Sequence, residues 1–255
     1  MSARPRQVFF TGGAPASPSA TTASSHCPSR TEFPQARHRA GTIRSVEHKE
    51  PDTVVFDIGG VLLDWDPRYL YGKLFRDEAE MERFLAEVCT PEWHAGNDRG
   101  VPFAQSSAEL AARHPGQEEL ILAWGQRSEE MEGGEIQGSV EILAELLGAG
   151  IPCYALTNME RETFPRRMER YPFMRWFTGT VASFQEGVVK PDPEIFRRLL
   201  SRFALDPWAT VMIDDSLANL GTAAAVGMRT IHFRSSEQLR GSLEQLGLPA
   251  RKHSG

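Results

Sequence analysis

Residues 54–62 read Val54-Val55-Phe56-Asp57-Ile58-Gly59-Gly60-Val61-Leu62, a short apolar run that ends on a carboxylate and then breaks at two glycines. A β-branched run of this length predicts a strand buried in a parallel sheet. Such a strand delivers Asp57 to the carboxyl edge of the sheet, where open α/β folds place their ligands. Asp57 is therefore a candidate nucleophile.

Three later segments repeat the pattern of an apolar strand closed by a polar residue. Ile151 to Leu156 ends at Thr157 and Asn158, Val188 and Val189 lead to Lys190 before Pro191, and Thr210 to Ile213 ends at Asp214 and Asp215. Parallel strands share one carboxyl edge, so these groups are expected to converge although they lie far apart in the chain. The ordered set resembles the four motifs of the haloacid dehalogenase superfamily, whose members are mostly magnesium-dependent phosphatases. The resemblance is carried by Phe56-Asp57-Ile58-Gly59-Gly60-Val61, Leu156-Thr157-Asn158, Lys190-Pro191-Asp192-Pro193 and Ile213-Asp214-Asp215-Ser216, and it covers residues 51–248. Bacterial glucose 1-phosphate phosphatases with a helical cap are the similar subgroup.

The spacing predicts a second element. Asp57 and Thr157 are 100 positions apart, whereas a strand-helix-strand unit needs only ~30. The surplus reads as helical. Leu70, Leu74, Met81, Leu85 and Val88 recur at near-helical spacing, with Asp77 as an internal cap, and residues 102–113 and 117–131 continue in the same manner. Residues 93–100 read as a loop-like break between them. After residue 137 helices and strands alternate: a helix over 140–147, a helix opened by Asp192 and Pro193, a helix over 216–226 and a strand over 230–233. The expected fold is α/β, a Rossmann-like doubly wound parallel sheet formed by 51–66 and 137–248, with a small helical cap over 67–136 and a flexible tail over 249–255.

Residues 1–50 differ from the rest. They are rich in Ser, Ala, Pro, Gly and Arg and carry net +4, against −10 for residues 51–255. That composition buries too little apolar surface to offset its ordering entropy, so the segment reads as a disordered extension in preference to a transit peptide. The acidic body argues against a nucleic-acid surface, and no apolar run approaches the roughly 20 residues of a membrane span. Cys27, Cys89 and Cys153 form no paired framework and suit a reducing cytoplasm. The seven histidines form no zinc motif.

The resemblance implies a division of labour. Asp57 would attack phosphorus and form an aspartyl-phosphate. Asp57, Asp214 and Asp215, with the main-chain carbonyl of Gly59, would bind Mg2+ through the hard oxygen donors it prefers. Thr157 and Asn158 would hydrogen-bond the phosphoryl group, and Lys190 would offset the charge on Asp57. Most phosphatases of this kind have a second Asp two positions after the nucleophile, as acid and then base. Gly59 stands there instead. Asp64 and Asp66 are stand-ins by position, although capping of the following helix is the reading we favour for them. Trp65, Trp93 and Arg99 either line a cap pocket or pack the cap on the core, and carry no catalytic role. The leading function is hydrolysis of a small phosphorylated metabolite such as a sugar phosphate. A 2-haloacid dehalogenase using the same Asp, and a catalytically silent binding module, are the alternatives. Removal of residues 1–50 should leave soluble, folded protein of unchanged activity, which expression and assay of the truncated chain will check.

Overall fold

A computed structural model describes residues 49–249. All but the last two of the first 50 residues, where disorder is expected, and nearly all of the expected C-terminal tail lie outside the described residues. Strand β1 (Thr53–Phe56) is wholly buried and is followed by β2 (Leu63–Trp65), α1 (Arg68–Tyr71), α2 (Glu78–Glu87), α3 (Pro91–Asp98), α4 (Phe103–Ala111), α5 (Glu118–Gln126) and β3 (Glu132–Glu135). The chain continues through α6 (Gln137–Gly148), β4 (Cys153–Thr157), α7 (Phe164–Arg170), β5 (Gly179–Ala182), α8 (Ser183–Glu186) and α9 (Pro193–Arg202). It closes with β6 (Thr210–Asp214), α10 (Leu217–Ala225), β7 (Arg229–His232) and α11 (Ser236–Gln245).

Five parallel strands form one sheet in the order β5-β4-β1-β6-β7. Alternate side chains leave a strand on opposite faces, and both faces are apolar. Val54, Phe56, Cys153, Ala155, Val211 and Ile213 pack with Val140, Leu143 and Leu146 of α6 and Leu239 and Leu243 of α11. Val55, Tyr154, Leu156 and Met212 pack with Ile195, Phe196 and Leu199 of α9 and Leu220 and Ala223 of α10. The result is a three-layer α/β/α core, the doubly wound Rossmann-like fold that the alternation of elements predicts. Among the described residues no helix is long and apolar enough to cross a membrane.

Helices α1 to α5 have an apolar cluster of their own, built on Leu70, Tyr71, Met81, Phe84, Leu85, Phe103, Leu110, Ile121 and Trp124. Three local expectations are corrected. The helical run from residue 69 to 88 is two helices, because Asp77 accepts from the Glu80 amide and starts α2 afresh. Residues 93–98 are helix rather than loop, since Thr90 caps α3 by accepting from the Trp93 amide and Pro91 occupies its first turn. Val188 and Val189 form no strand; two residues are too short a run, and the edge strand is β5, upstream of the left-handed Gly187. The ribbon of β2 and β3 was not legible either, because Glu132-Gly133-Gly134-Glu135 has no apolar alternation.

The glycine pair after β1 is asymmetric. Gly60 has φ +71°, and a Cβ there would meet the Asp215 carboxyl carbon at 2.8 Å, whereas a Cβ on Gly59 would meet nothing within 4 Å. Gly60→Ala should therefore lower stability by ~1–2 kcal/mol or more from the left-handed backbone alone. Gly59→Ala should change it by no more than about 1 kcal/mol in either direction. Urea unfolding of the two variants will check the contrast.

Candidate active site

The order of the strands places a switch point between β1 and β6: the chain builds outward through β4 and β5, then returns to the other side of β1. Ligands of doubly wound sheets sit outside the strand ends at such a point. Phe56 pairs with Ile213, and the Asp57 amide donates to the Ile213 carbonyl at 2.9 Å, so the register carries on to set Asp57 beside Asp214. Thr157 ends β4 on the other side of β1.

Lys190 joins these strand ends. Its buried ammonium lies 2.8 Å from Asp57 Oδ2 and 2.8 Å from Asp214 Oδ2. Lys190 arrives from a loop, so its position needs another source than a sheet ladder. Asn158 supplies it: the Lys190 amide donates to Asn158 Oδ1 at 2.8 Å, and Asn158 Nδ2 donates to the Lys190 carbonyl at 3.0 Å. The Asn158 side chain therefore fixes the Lys190 backbone, and one amide N–H remains for another acceptor. The Thr157 hydroxyl makes a long 3.3 Å hydrogen bond to the Asn158 carbonyl.

The three acids differ in their surroundings. Asp57 Oδ1 accepts from the Ile58 amide at 2.7 Å, while burial pushes the Asp57 carboxyl up to about 7 against the pull of Lys190, helped by the neighbouring Asp214. Asp214 is fully buried and accepts from Lys190, from the Ser216 amide at 2.9 Å and from Asn219 Nδ2 at 2.9 and 3.1 Å. The Asp215 carboxylate takes a backbone hydrogen bond from its own amide, and burial followed by the charge on Asp214 raises its pKa against that bond and the pull of Lys190. Carboxylate oxygens of Asp57, Asp214 and Asp215 all lie within 4.8 Å of one another. One ammonium against three carboxylates leaves excess negative charge, and hard oxygens gathered this closely fit a divalent cation such as Mg2+.

Beside this cluster a cavity of about 160 Å³ opens next to Gly59, with Thr157, Asn158, Trp65, His94, Asp98, Glu160 and Arg167 in its wall. The last four bring a buried charged network that the sequence reading did not find. His94 Nε2 lies 2.6 Å from Glu160 Oε1 and His94 Nδ1 3.9 Å from Asp98 Oδ2; Arg167 contacts Glu160 at 3.3 Å and Glu132 at 2.7 Å. Burial works against the charged imidazole, yet the Glu160 hydrogen bond and the carboxylates around it raise the His94 pKa. Burial favours the neutral Glu160 carboxyl, but Arg167 and His94 hold it well below the usual range. Trp65 stacks on His94, with ring centroids 5.5 Å apart. The available signal was the four-residue spacing of His94 and Asp98, which puts both on one helix face. The loop-like reading of residues 93–100 hides it.

Asp64 and Asp66 lie elsewhere. Leu63 and Trp65 face the cavity and Asp64, between them on the strand, does not line it; the Tyr69 hydroxyl donates to its carboxylate at 2.8 Å. Asp66 accepts from the Arg68 amide at 2.8 Å just before α1, whose N-cap position is Pro67 with no side-chain cap. Trp93 packs against Trp124, and Arg99 is exposed.

Comparison with known proteins agrees with the fold. Over 201 residues the chain is 28% identical to the sesquiterpene phosphatase astK of Aspergillus oryzae, covering 75% of this chain and 94% of that one. It is 24% identical over 190 residues to a phosphorylated carbohydrates phosphatase of Thermotoga maritima, covering 71% and 84%. A predicted HAD-like family hydrolase from Porphyromonas gingivalis shares the fold with a TM-score of 0.61 at 20% identity, over 79% of this chain and 100% of that one. A HAD family enzyme from Bacteroides thetaiotaomicron, solved with magnesium and inorganic phosphate, has a TM-score of 0.55 at 20% identity, over 72% and 95%. Residues 51–227 match the family described as haloacid dehalogenase-like hydrolase, and the chain belongs to that family.

Proposed function

We propose that the chain is a magnesium-dependent phosphatase that hydrolyses a small, polar phosphate monoester through an aspartyl-phosphate on Asp57. The observation that carries this reading is the Lys190 ammonium held 2.8 Å from both Asp57 and Asp214, with the Asp215 carboxylate beside them. Phosphoryl transfer asks mainly for an aligned nucleophile and charge stabilisation on the phosphoryl oxygens. Asp57, fixed by the Ile58 amide and Lys190, is the nucleophile. The Thr157 hydroxyl and the free amide N–H of Asn158 are the neutral donors to the phosphoryl group, and Lys190 balances the charge on Asp57. Mg2+ held by Asp57, Asp214, Asp215 and the Gly59 carbonyl would supply the remaining positive charge. Halide displacement from carbon requires no such acidic cluster, which favours the phosphatase over the dehalogenase.

The cavity also bears on the substrate. Relatives named for sesquiterpene and for carbohydrate phosphates lie at similar distances in sequence. Here the wall next to Gly59 carries His94, Asp98, Glu160 and Arg167 within about 160 Å³. A long isoprenoid chain would desolvate those groups without replacing their hydrogen bonds, whereas the hydroxyls of a sugar or a short polyol phosphate can engage them.

Asp57→Asn should lower chelator-sensitive hydrolysis of 4-nitrophenyl phosphate by about 10³-fold or more, the scale of losing a nucleophile, with an unchanged circular dichroism spectrum. Near-parental turnover would place the active site elsewhere. At about 100 times its Kd, Mg2+ should stabilise the protein by ~2.7 kcal/mol, a rise of ~5–10 °C in Tm for a domain of this size. Asp215→Ala should abolish that rise and leave metal-free stability near the parent's. Asp214→Ala should instead cost ~3–5 kcal/mol without metal, because it takes one of two carboxylates from a buried ammonium and the acceptor of buried Asn219. Thermal scans with and without magnesium separate the two roles, and identical behaviour of both variants would reject them.

A further inference from the structure

Gly59 leaves the proposed chemistry without a group to protonate the leaving oxygen, and neither Asp64 nor Asp66 lines the cavity where that oxygen would sit. Resting on the phosphatase reading, we propose that Asp98 of α3 is the general acid and base of the reaction, acting from the wall of the cavity that Gly59 also lines.

Position is the first support. Asp98 and Gly59 line one cavity with Thr157 and Asn158, and a Cβ on Gly59 would meet nothing within 4 Å. The position of Asp98 in that cavity is tied to the backbone after β4. Ser183 Oγ donates to the Asp98 carbonyl at 2.7 Å and accepts from the Met159 amide at 2.9 Å, tying the end of α3 to the residue after Asn158.

The state of the carboxyl is the second. Asp98 is only 7% exposed, and its Oδ1 has no hydrogen-bond partner among the described residues. A buried polar atom left so costs about 1–3 kcal/mol, more when charged, and a ligand oxygen in the cavity is a partner that removes the cost. Burial, followed by the opposing charge of His94, sets the Asp98 carboxyl at about 6, with Glu160 raising it and Arg167 and Lys190 lowering it. That is within reach of proton transfer near neutral pH, and a bound phosphate anion pushes it further up.

The neighbours exclude themselves. Both nitrogens of His94 face carboxylates, Glu160 at 2.6 Å and Asp98 at 3.9 Å, and Glu160 is further held by the Thr163 hydroxyl at 2.6 Å and by Arg167. His94 is therefore a positioning residue beside Asp98. Its direct contact with Glu160, and the Arg167 cation on the same carboxylate, argue against a second metal within this trio, although its ligand atoms lie within 4.8 Å of one another.

The step balances. As an Asp57 oxygen bonds to phosphorus, the bond from phosphorus to the ester oxygen breaks, its electron pair stays on that oxygen, and the Asp98 proton joins it to give the alcohol. In the second half the Asp98 carboxylate takes a proton from water, the water oxygen bonds to phosphorus, and the bond from Asp57 to phosphorus breaks. Phosphate leaves, with Asp57 ionised and Asp98 protonated as at the start.

The experiment compares kcat/KM for 4-nitrophenyl phosphate, whose leaving group needs no proton, with that for glycerol 3-phosphate and a sugar 6-phosphate, whose alkoxides do. Asp98→Asn should lower the alkyl values by ~10²–10⁴-fold and the aryl value by less than about tenfold. Adding Gly59→Asp to that variant should recover part of the alkyl loss selectively, because the new carboxyl occupies the open side of the same cavity. A series of aryl phosphates with the parent protein needs no variant: a shallow dependence of kcat/KM on leaving-group pKa is expected, and a steep one overturns the assignment. Equal losses on alkyl and aryl esters, or no loss, overturn it as well while leaving the phosphatase reading intact. Parent protein that hydrolyses none of these esters, or does so unaffected by chelator, overturns the phosphatase reading and the assignment with it.

Discussion

One buried ammonium group, that of Lys190, lies between Asp57 and Asp214 at the carboxyl edge of the sheet, and the arrangement of the whole edge follows from keeping it there. Charges taken out of water are tolerated only when geometry and hydrogen bonding replace what solvation gave. The two carboxylates come from adjacent strands, so their spacing is set by the parallel ladder rather than by rotamers. Lys190 has no ladder of its own. The reciprocal pair of hydrogen bonds with Asn158 sets its backbone height against β4 instead. Asn219 and the Ser216 amide complete the shell of Asp214, so the first turn of α10 belongs to the same constraint.

A second charged assembly faces this one. Glu132, Arg167, Glu160, His94 and Asp98 come from β3, α7, the loop after β4 and α3, and they are largely removed from water. An apolar contact of equal volume would hold these elements together at less desolvation cost. Buried networks with perturbed pKa values are found preferentially at functional sites. Here the network lines the cavity through His94, Asp98, Glu160 and Arg167, while its far end at Glu132 lies in the ribbon through which the chain re-enters the sheet.

The central strands and their polar edge were legible because β1, β4 and β6 report their burial in largely apolar runs, and because parallel topology turns separate strand ends into neighbours. Asp57, Thr157, Asp214 and Asp215 could be read in that way. Lys190 was found by its motif, yet the strand assigned to Val188 and Val189 is a loop, and the actual edge strand, Gly179–Ala182, opens on a glycine and a threonine that give no strong signal. The network of His94, Asp98, Glu160 and Arg167 stayed hidden for a different reason. Its members are brought together by packing between segments far apart in the chain, and no periodicity records that. Only the start of α3, Thr90-Pro91-Glu92, carried a readable cap, and recognising it would have put His94 and Asp98 on one face.

The two glycines after β1 differ in what holds them in place. Gly60 is required by its backbone and by the Asp215 carboxyl pressed against it, but Gly59 has an ordinary backbone angle and open space where a side chain would go. The genetic code makes that difference historical. Glycine and aspartate codons that share a third base differ by a single transition, so an acid at position 59 is one point mutation away and meets no steric resistance. An acid can therefore be gained or lost at this position without a steric clash. The residue at this position is then a poor guide, taken alone, to whether a member of the family is active.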